Sequence, residues 1–245
     1  MKEKLISLAA MALVACAGWM APQSLRAADS TDSIVEGFKM VEVASVADAM
    51  EQLYGQRNYM SHAMRPLATA KFAGRALTVQ MKREDHQEGA KASQGMLDAI
   101  DAGAPGSVYV MVLPDGDNFA GIGGLMATAM KSRGFVGAVV DGGVRDLPQI
   151  AKIQFPVFSR TIVPSTTIGH YRFVGANVPV VCDGIKVNAN DIIVADMDGV
   201  VVVPQEKAAE VLKKAQELDF IEHSTIPYIE KYHSLKEAVE KFGRI

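Results

Sequence analysis

Short apolar runs bounded by glycine, proline and aspartate alternate along this chain with segments of helical period. The runs predict strands over 72–79, over 107–113 ahead of Pro114, over 137–141 and over 157–160, with further candidates over 178–181 and 184–187. Helical period appears from Val46 to Met50, where Ser45 reads as the cap, over 91–102, over 125–133 with Gly134 as a left-handed stop, and over 147–152. Two apolar runs, 191–196 and 200–203, flank Met197-Asp198-Gly199 and predict a hairpin that Pro204 ends. A helix over 205–219 follows, and 222–243 reads as helix broken near Pro227. The mixture, with no repeat or low-complexity tract, predicts an α/β fold with parallel and antiparallel pairings.

The first residues follow a different pattern. Lys2 and Lys4 precede an uncharged apolar stretch from Leu5 to Met20, and small and polar residues follow at 24–28. This is the pattern of a secretory leader over residues 1–27. Two processing readings stand side by side: cleavage before Ala28 after Leu25-Arg26-Ala27, or a lipobox, Leu13-Val14-Ala15-Cys16, with Cys16 lipidated. Both export the protein, as a soluble periplasmic form or as an anchored lipoprotein. Membrane attachment is expected only through a lipidated Cys16. Residues 28–40 read as a linker, mobile over 29–34, and 41–245 as one α/β domain.

Composition narrows the partners. Removing residues 1–27 takes three of the 25 basic residues (Lys2, Lys4, Arg26) and one of the 28 acidic ones (Glu3), so the net charge moves from −3 to −5. That balance argues against nucleic acid. A soluble mature form keeps only Cys182, so no intrachain disulfide forms. At 49% hydrophobic content the chain has the apolar residues for a substantial single core.

Candidate chemistry concentrates between Gly121 and Asp146. Gly123-Gly124-Leu125-Met126 opens a helix. Glycine there lets a ligand approach the backbone, and the Leu125 and Met126 N–H groups suit an anion. A tight turn alone explains the same residues. After the apolar run, Asp141-Gly142-Gly143 reads as a turn that presents Arg145 and Asp146. Arg145 suits a carboxylate or carbonyl oxygen, and Asp146 a hydrated Mg²⁺ or Mn²⁺, at the strand's carboxyl end where α/β proteins place ligands. A surface ion pair or helix cap is the competing reading. His62, His86, His170, His223 and His233 have no zinc spacing. Asp115-Gly116-Asp117 reads as a turn, and Ser132 and Ser165 have no evident partners.

These motifs resemble a known family: the 4-hydroxy-4-methyl-2-oxoglutarate/4-carboxy-4-hydroxy-2-oxoadipate aldolases and the regulators of ribonuclease E activity, many once called demethylmenaquinone methyltransferases. The resemblance runs from about Val46 to Phe242. It rests on Gly124-Leu125-Met126-Ala127, Arg133-Gly134, the run from Gly137 to Asp146, and Asp191 to Asp196 with Asp198 to Pro204. It implies a swivelling β/β/α sandwich with mixed sheets and a helical C-terminus, self-associated as trimers or hexamers with the site between subunits. By the same resemblance, Gly123, Gly124 and the Leu125 and Met126 amides hold a pyruvate carboxylate. Arg145 contacts the keto or enolate oxygen, Asp146 binds the divalent metal, and Glu222 from a neighbouring subunit supports the metal shell. Two departures stand out. Gly124 occupies a place where aldolases often carry an acid, and familiar members lack a leader.

The expected activity is a Mg²⁺- or Mn²⁺-dependent lyase that cleaves a small 4-hydroxy-2-oxo acid to pyruvate, with oxaloacetate decarboxylation as a second activity. The alternative is a non-catalytic binding or regulatory trimer of the same fold. No glycine-rich loop is paired with a downstream ribose-binding acid, which argues against a methyltransferase.

Overall fold

The computed structural model describes residues 32–68 and 71–243; the leader, both processing sites and Cys16 lie outside the described residues. The order of elements is α1 (Ser33–Lys39), α2 (Val43–Tyr54), β1 (Arg65–Pro66), β2 (Phe72–Arg83), α3 (Gln94–Ala102), β3 (Ser107–Val112), β4 (Ala120–Ile122), α4 (Gly124–Ser132) and β5 (Gly137–Val144). There follow α5 (Leu147–Lys152), β6 (Val157–Ile162), β7 (Tyr171–Ala176), β8 (Val180–Cys182), β9 (Ile185–Val187), β10 (Ile192–Asp196), β11 (Gly199–Val203), α6 (Ala208–Tyr232) and α7 (Leu235–Phe242).

Among the described residues the strands form a nine-stranded mixed sheet, with main order β1-β6-β5-β3-β2-β10-β11, and a separate β8–β9 ribbon. The central strands β2, β3, β5 and β6 run parallel, and β10 joins β2 antiparallel. One edge of β2 is divided: β10 pairs with its first residues and β7 with its last. Side-chain alternation then builds three apolar layers. Leu77, Val79, Tyr109, Met111, Ala138 and Val140 face α3, α4 and α5. Phe72, Ala76, Val108, Val110 and Val139 point the other way, onto Ile193, Ala195, Val200 and Val202. The opposite faces of β10 and β11, with Ile192, Val194, Val201 and Val203, are covered by α1, α2 and α6. Strands buried on both faces read as unbroken apolar runs, which is why β10 and β11 were legible. This is the expected α/β sandwich: two β layers enclosing a core, helices outside.

Several boundaries differ from the sequence reading. The linker expected over 28–40 is, from Asp32 onward, part of the fold. Asp32 caps α1 by accepting the Val35 N–H (3.3 Å) and pairs with Arg75 Nε at 2.6 Å, while Val35 and Phe38 enter the core. Burial pushes the Asp32 carboxyl up, but those bonds outweigh it and hold the group below its ordinary range. The described domain therefore starts at Asp32 rather than at residue 41. The segment 91–102 divides into a 3₁₀ turn, Gly89–Ser93, and α3. Pro227 does not break α6, which continues to His233 in the left-handed conformation. Pro227 is exposed, so water can take the carbonyl its missing N–H leaves unpaired. Tyr228 packs on Tyr232 and Phe242, closing α6 onto α7.

Ser45 is not the α2 cap. The helix starts two residues earlier, with Glu42 at the cap position, and the Val43 N–H is taken by Asp196 Oδ2 of the β10–β11 hairpin at 3.0 Å. Ser45 is completely buried and its hydroxyl has no hydrogen-bond partner among the described residues. Ser45→Ala removes that unsatisfied group and improves helix propensity, so unfolding in urea should show a stability gain of about 1 kcal/mol. A loss of stability would mean that the hydroxyl has a partner in solution.

Candidate active site

Strand β5 changes partners along its length. Its first residues, Gly137 to Asp141, pair with β3, whereas Gly143 and Val144 pair with β4. The change falls at Gly142, whose φ of +153° suits glycine and where an added Cβ would lie 2.8 Å from Leu113 Cδ1. On the other edge the register with β6 also shifts between Val140 and Gly143. Asp141-Gly142-Gly143 is therefore an irregularity within a strand and not the turn its composition suggests. Strands on both sides continue to supply partners, so the chain stays extended. Arg145 and Asp146 emerge at the carboxyl end of β5, the ligand-binding edge of parallel sheets.

The Arg145 N–H donates to the Ile122 carbonyl at 3.1 Å, which ties the strand end to the segment leading into α4. Its guanidinium donates through Nη1 to the Ser165 carbonyl at 3.0 Å, and Nε lies 3.8 Å from Asp146 Oδ2. Ser165 is in turn fixed by its own hydroxyl, which donates to the Asn118 carbonyl at 2.6 Å and accepts the Ala120 N–H at 3.3 Å. Asp146 takes a left-handed backbone (φ +59°). Its side chain does not cap α5. It turns back across the site and accepts the Gly124 N–H at 3.0 Å.

Gly123 and Gly124 make that approach sterically feasible. A Cβ at Gly123 would lie 2.6 Å from Asp146 Oδ2 and 3.1 Å from Arg145 Cγ, and one at Gly124 would lie 2.9 Å from Gln149 Cγ. The Gly124 N–H is used by Asp146. The next two first-turn amides, Leu125 and Met126, have no carbonyl four residues back within the helix to accept from them. The Leu125 side chain is 90% exposed, while that of Met126 packs against the core, so the amides sit at a solvent-facing helix start. A cavity of about 370 Å³ opens here, bordered by Gly124, Leu125, Thr128, Asp146, Pro148 and Gln149. The first turn of α4 makes the Gly124–Leu125 side of it favourable for an anion, and the Arg145 guanidinium reaches Asp146 without itself bordering the cavity.

The structure thus brings Gly123, Gly124, Leu125, Met126, Arg145 and Asp146 together. It does not bring Glu222 to them within one chain. Glu222 is exposed on α6, which packs with α1 and α2 in the opposite helical layer. Among the described residues no group of three His, Cys, Asp or Glu side chains forms a metal cage. Ser165, Thr128 and Gln149 had no signal in the sequence, because each gains its role from a contact across at least twenty residues. Asp115-Gly116-Asp117 is a turn, as expected, with a 3₁₀ segment at Gly116–Asn118.

Behind the site, Arg160 gathers Asp117 (2.9 Å), Asp183 (3.1 Å) and Asp141 (3.7 Å), and Asp141 also accepts the Asp183 N–H at 2.7 Å. Burial, helped by the charges of Asp183 and Asp117, pushes the Asp141 carboxyl above its ordinary value of 3.8, against the pull of the Asp183 N–H and Arg160. With the folded value raised, the native state holds this proton more tightly than the unfolded chain. Between the two values stability therefore falls as pH rises, and the cost is fully present above the folded value. Asp141→Asn keeps an oxygen for the Asp183 N–H and should flatten that fall. Urea titrations from about pH 4 to pH 7 measure it, and equal slopes for both proteins would refute the assignment.

The chain is similar to known proteins in sequence and in overall fold. A protein of Halalkalibacterium halodurans that carries the provisional name 4-hydroxy-4-methyl-2-oxoglutarate aldolase is 32% identical over 184 residues, which is 73% of this chain and 80% of that protein. An uncharacterized protein from Pseudomonas syringae pv. tomato superposes with a TM-score of 0.76 at 27% identity, covering 85% of this chain and 97% of that one. RraAS2 of Streptomyces coelicolor, described as an unusual member of the RNase ES inhibitor RraA protein family, superposes with a TM-score of 0.70 at 26% identity over 80% and 96% of the two chains. The family model described as RraA-like (Aldolase/RraA) matches residues 43–202, a span that includes α4, β5 and the Arg145–Asp146 pair, and the chain belongs to that family.

Proposed function

We propose that the protein is a divalent-metal-dependent lyase that cleaves a 4-hydroxy-2-oxo acid to pyruvate and a carbonyl compound. The observation that carries this reading is the meeting of Arg145 and Asp146 over Gly123, beside the first-turn amides of α4. The name of the Halalkalibacterium relative supports it.

The donor set fits a hard cation. Asp146 is half-exposed and engages the Gly124 N–H through one oxygen, leaving the other available. A single carboxylate with water completing the shell is how Mg²⁺ is commonly held. Asp146 would hold the ion in this chain, and Glu222 would join from a second copy, consistent with assembly as a trimer or a pair of trimers. When bound there, Mg²⁺ or Mn²⁺ supplies positive charge to the 2-keto oxygen.

The chain's own groups do the rest. The Leu125 and Met126 amides hold the substrate carboxylate, and the Arg145 guanidinium holds the keto oxygen. The C3–C4 bond breaks and its electron pair passes into the pyruvate enolate, whose oxygen faces Arg145. The 4-hydroxyl proton leaves to solvent as C4 becomes a carbonyl carbon, and C3 takes a proton to complete pyruvate. Loss of CO₂ from oxaloacetate produces the same enolate, so decarboxylation follows as a second activity.

A panel of 2-oxo acids assayed for pyruvate release, with calorimetric titration of oxalate with and without Mg²⁺, tests the reading. Metal-dependent oxalate binding together with pyruvate release is the expected result. Absence of both would favour a binding or regulatory scaffold, the reading to which Gly124, with no carboxylate at that place, lends weight.

A further inference from the structure

We propose that the wall formed by Thr128 and Gln149 receives an uncharged, hydroxyl-bearing tail of the 2-oxo acid and disfavours a second carboxylate. The inference rests on the lyase reading only for the placement of the acid's other end.

Thr128 on α4 and Gln149 on α5 meet in the wall of the cavity that Leu125 and Asp146 also border. The Thr128 hydroxyl donates its hydrogen to the Gly124 carbonyl at 2.6 Å. It can therefore only accept from Gln149, whose Nε2 lies 3.3 Å from Thr128 Oγ1. This fixes which way the carboxamide points, with nitrogen towards Thr128 and oxygen away. The group keeps an acceptor oxygen and one further N–H. Gly124 makes room for it, since a Cβ there would lie 2.9 Å and 3.0 Å from Gln149 Cγ and Cβ. Asp146 and Gln149 stand three residues apart at the start of α5, and the Gln149 N–H donates to the Asp146 carbonyl at 3.0 Å. Both side chains border the cavity.

The charge around the cavity decides what this wall can bind. Among the described residues Asp146 is the one charged residue on its border, and neither lysine nor arginine lines it. A carboxylate tail would shed water without gaining a cation from these residues, and would leave the Gln149 oxygen without a donor. A hydroxyl both donates and accepts, so it satisfies the carboxamide on either side. The substrate is then a 4-hydroxy-2-oxo monocarboxylate with a neutral polar end, unlike the dicarboxylate in the name of the Halalkalibacterium relative.

The test is calorimetry on the whole protein in Mg²⁺ with three 2-oxo acids that lack the 4-hydroxyl and cannot be cleaved: 5-hydroxy-2-oxopentanoate, 2-oxopentanoate and 2-oxoglutarate. The hydroxylated acid should bind about tenfold or more tightly than 2-oxoglutarate. Gln149→Ala should erase its advantage over 2-oxopentanoate, and Gln149→Arg should shift preference to 2-oxoglutarate. If 2-oxoglutarate binds the native protein as tightly as the hydroxylated acid, the inference is overturned. Pyruvate release from a 4-hydroxy-2-oxo acid, assayed in parallel, separates the two readings. Release with tight 2-oxoglutarate binding removes the tail assignment alone. Preference for the hydroxylated acid without release removes the lyase alone, and no binding with no release removes both.

Discussion

Replacing Arg145 with alanine should lower pyruvate release by about 10²- to 10³-fold with Mg²⁺ present, the scale seen when a preorganised oxyanion donor is removed. The guanidinium is held at one end by the Ser165 carbonyl and lies beside Asp146 at the other, so it is already oriented before substrate arrives. Nothing has to reorganise when charge gathers on the enolate oxygen. The side chain is 43% exposed and fills no core space, so its removal should leave the thermal midpoint almost unchanged. Arg145→Lys keeps the charge but loses the planar fork, and should fall between the two proteins. Steady-state kinetics on any cleaved 2-oxo acid give the measurement. Full turnover by the alanine variant would remove Arg145 from the mechanism.

A single methyl group at Gly123 should do comparable damage by a different route. Gly123 has φ −144° and ψ −169°, extended backbone that alanine adopts without strain. Its Cβ, however, would lie 2.6 Å from Asp146 Oδ2 and 3.3 Å from Arg145 Nε. Asp146 Oδ2 ends a flexible, half-exposed side chain and Arg145 Nε lies near the end of another, so both can swing aside and the fold survives. What is lost is the arrangement. Asp146 leaves the Gly124 N–H and Arg145 loses its seat over the backbone. Gly123→Ala should therefore change stability by less than about 1 kcal/mol, while Mg²⁺ affinity and kcat/KM fall about 10- to 100-fold. Calorimetric Mg²⁺ titration beside a thermal melt distinguishes this from simple unfolding. Native metal affinity in the variant would show that the carboxylate does not need its place over Gly123.

Other changes near the site have smaller expected effects because the groups involved act through a third residue. The Ser165 hydroxyl, for example, anchors the loop whose carbonyl meets Arg145 and touches no reacting atom in the proposed scheme. The Arg160 cluster lies further back and ties β5 to Asp117 and Asp183.

The linear chain already determined a good part of this molecule. The apolar runs of β3, β10 and β11 are legible because each strand is buried on both faces. The β10–β11 hairpin is legible because Asp198-Gly199 has local turn chemistry, and Asp196 reinforces it by accepting the Asp198 N–H at 2.9 Å. The start of α4 and the Arg145–Asp146 pair are likewise local, since neighbouring residues cannot be far apart. Tertiary structure decided the rest. β4 and β7 are short or half-exposed and exist because β5 and β2 offer them free edges. Helix α1 forms where a linker was expected because Arg75 and the core hold Asp32, Val35 and Phe38. The site itself depends on the sheet placing Gly123 beneath Asp146 and Thr128 beside Gln149. Period and propensity act over a few residues, whereas a pocket between two helices depends on where the strands before them end.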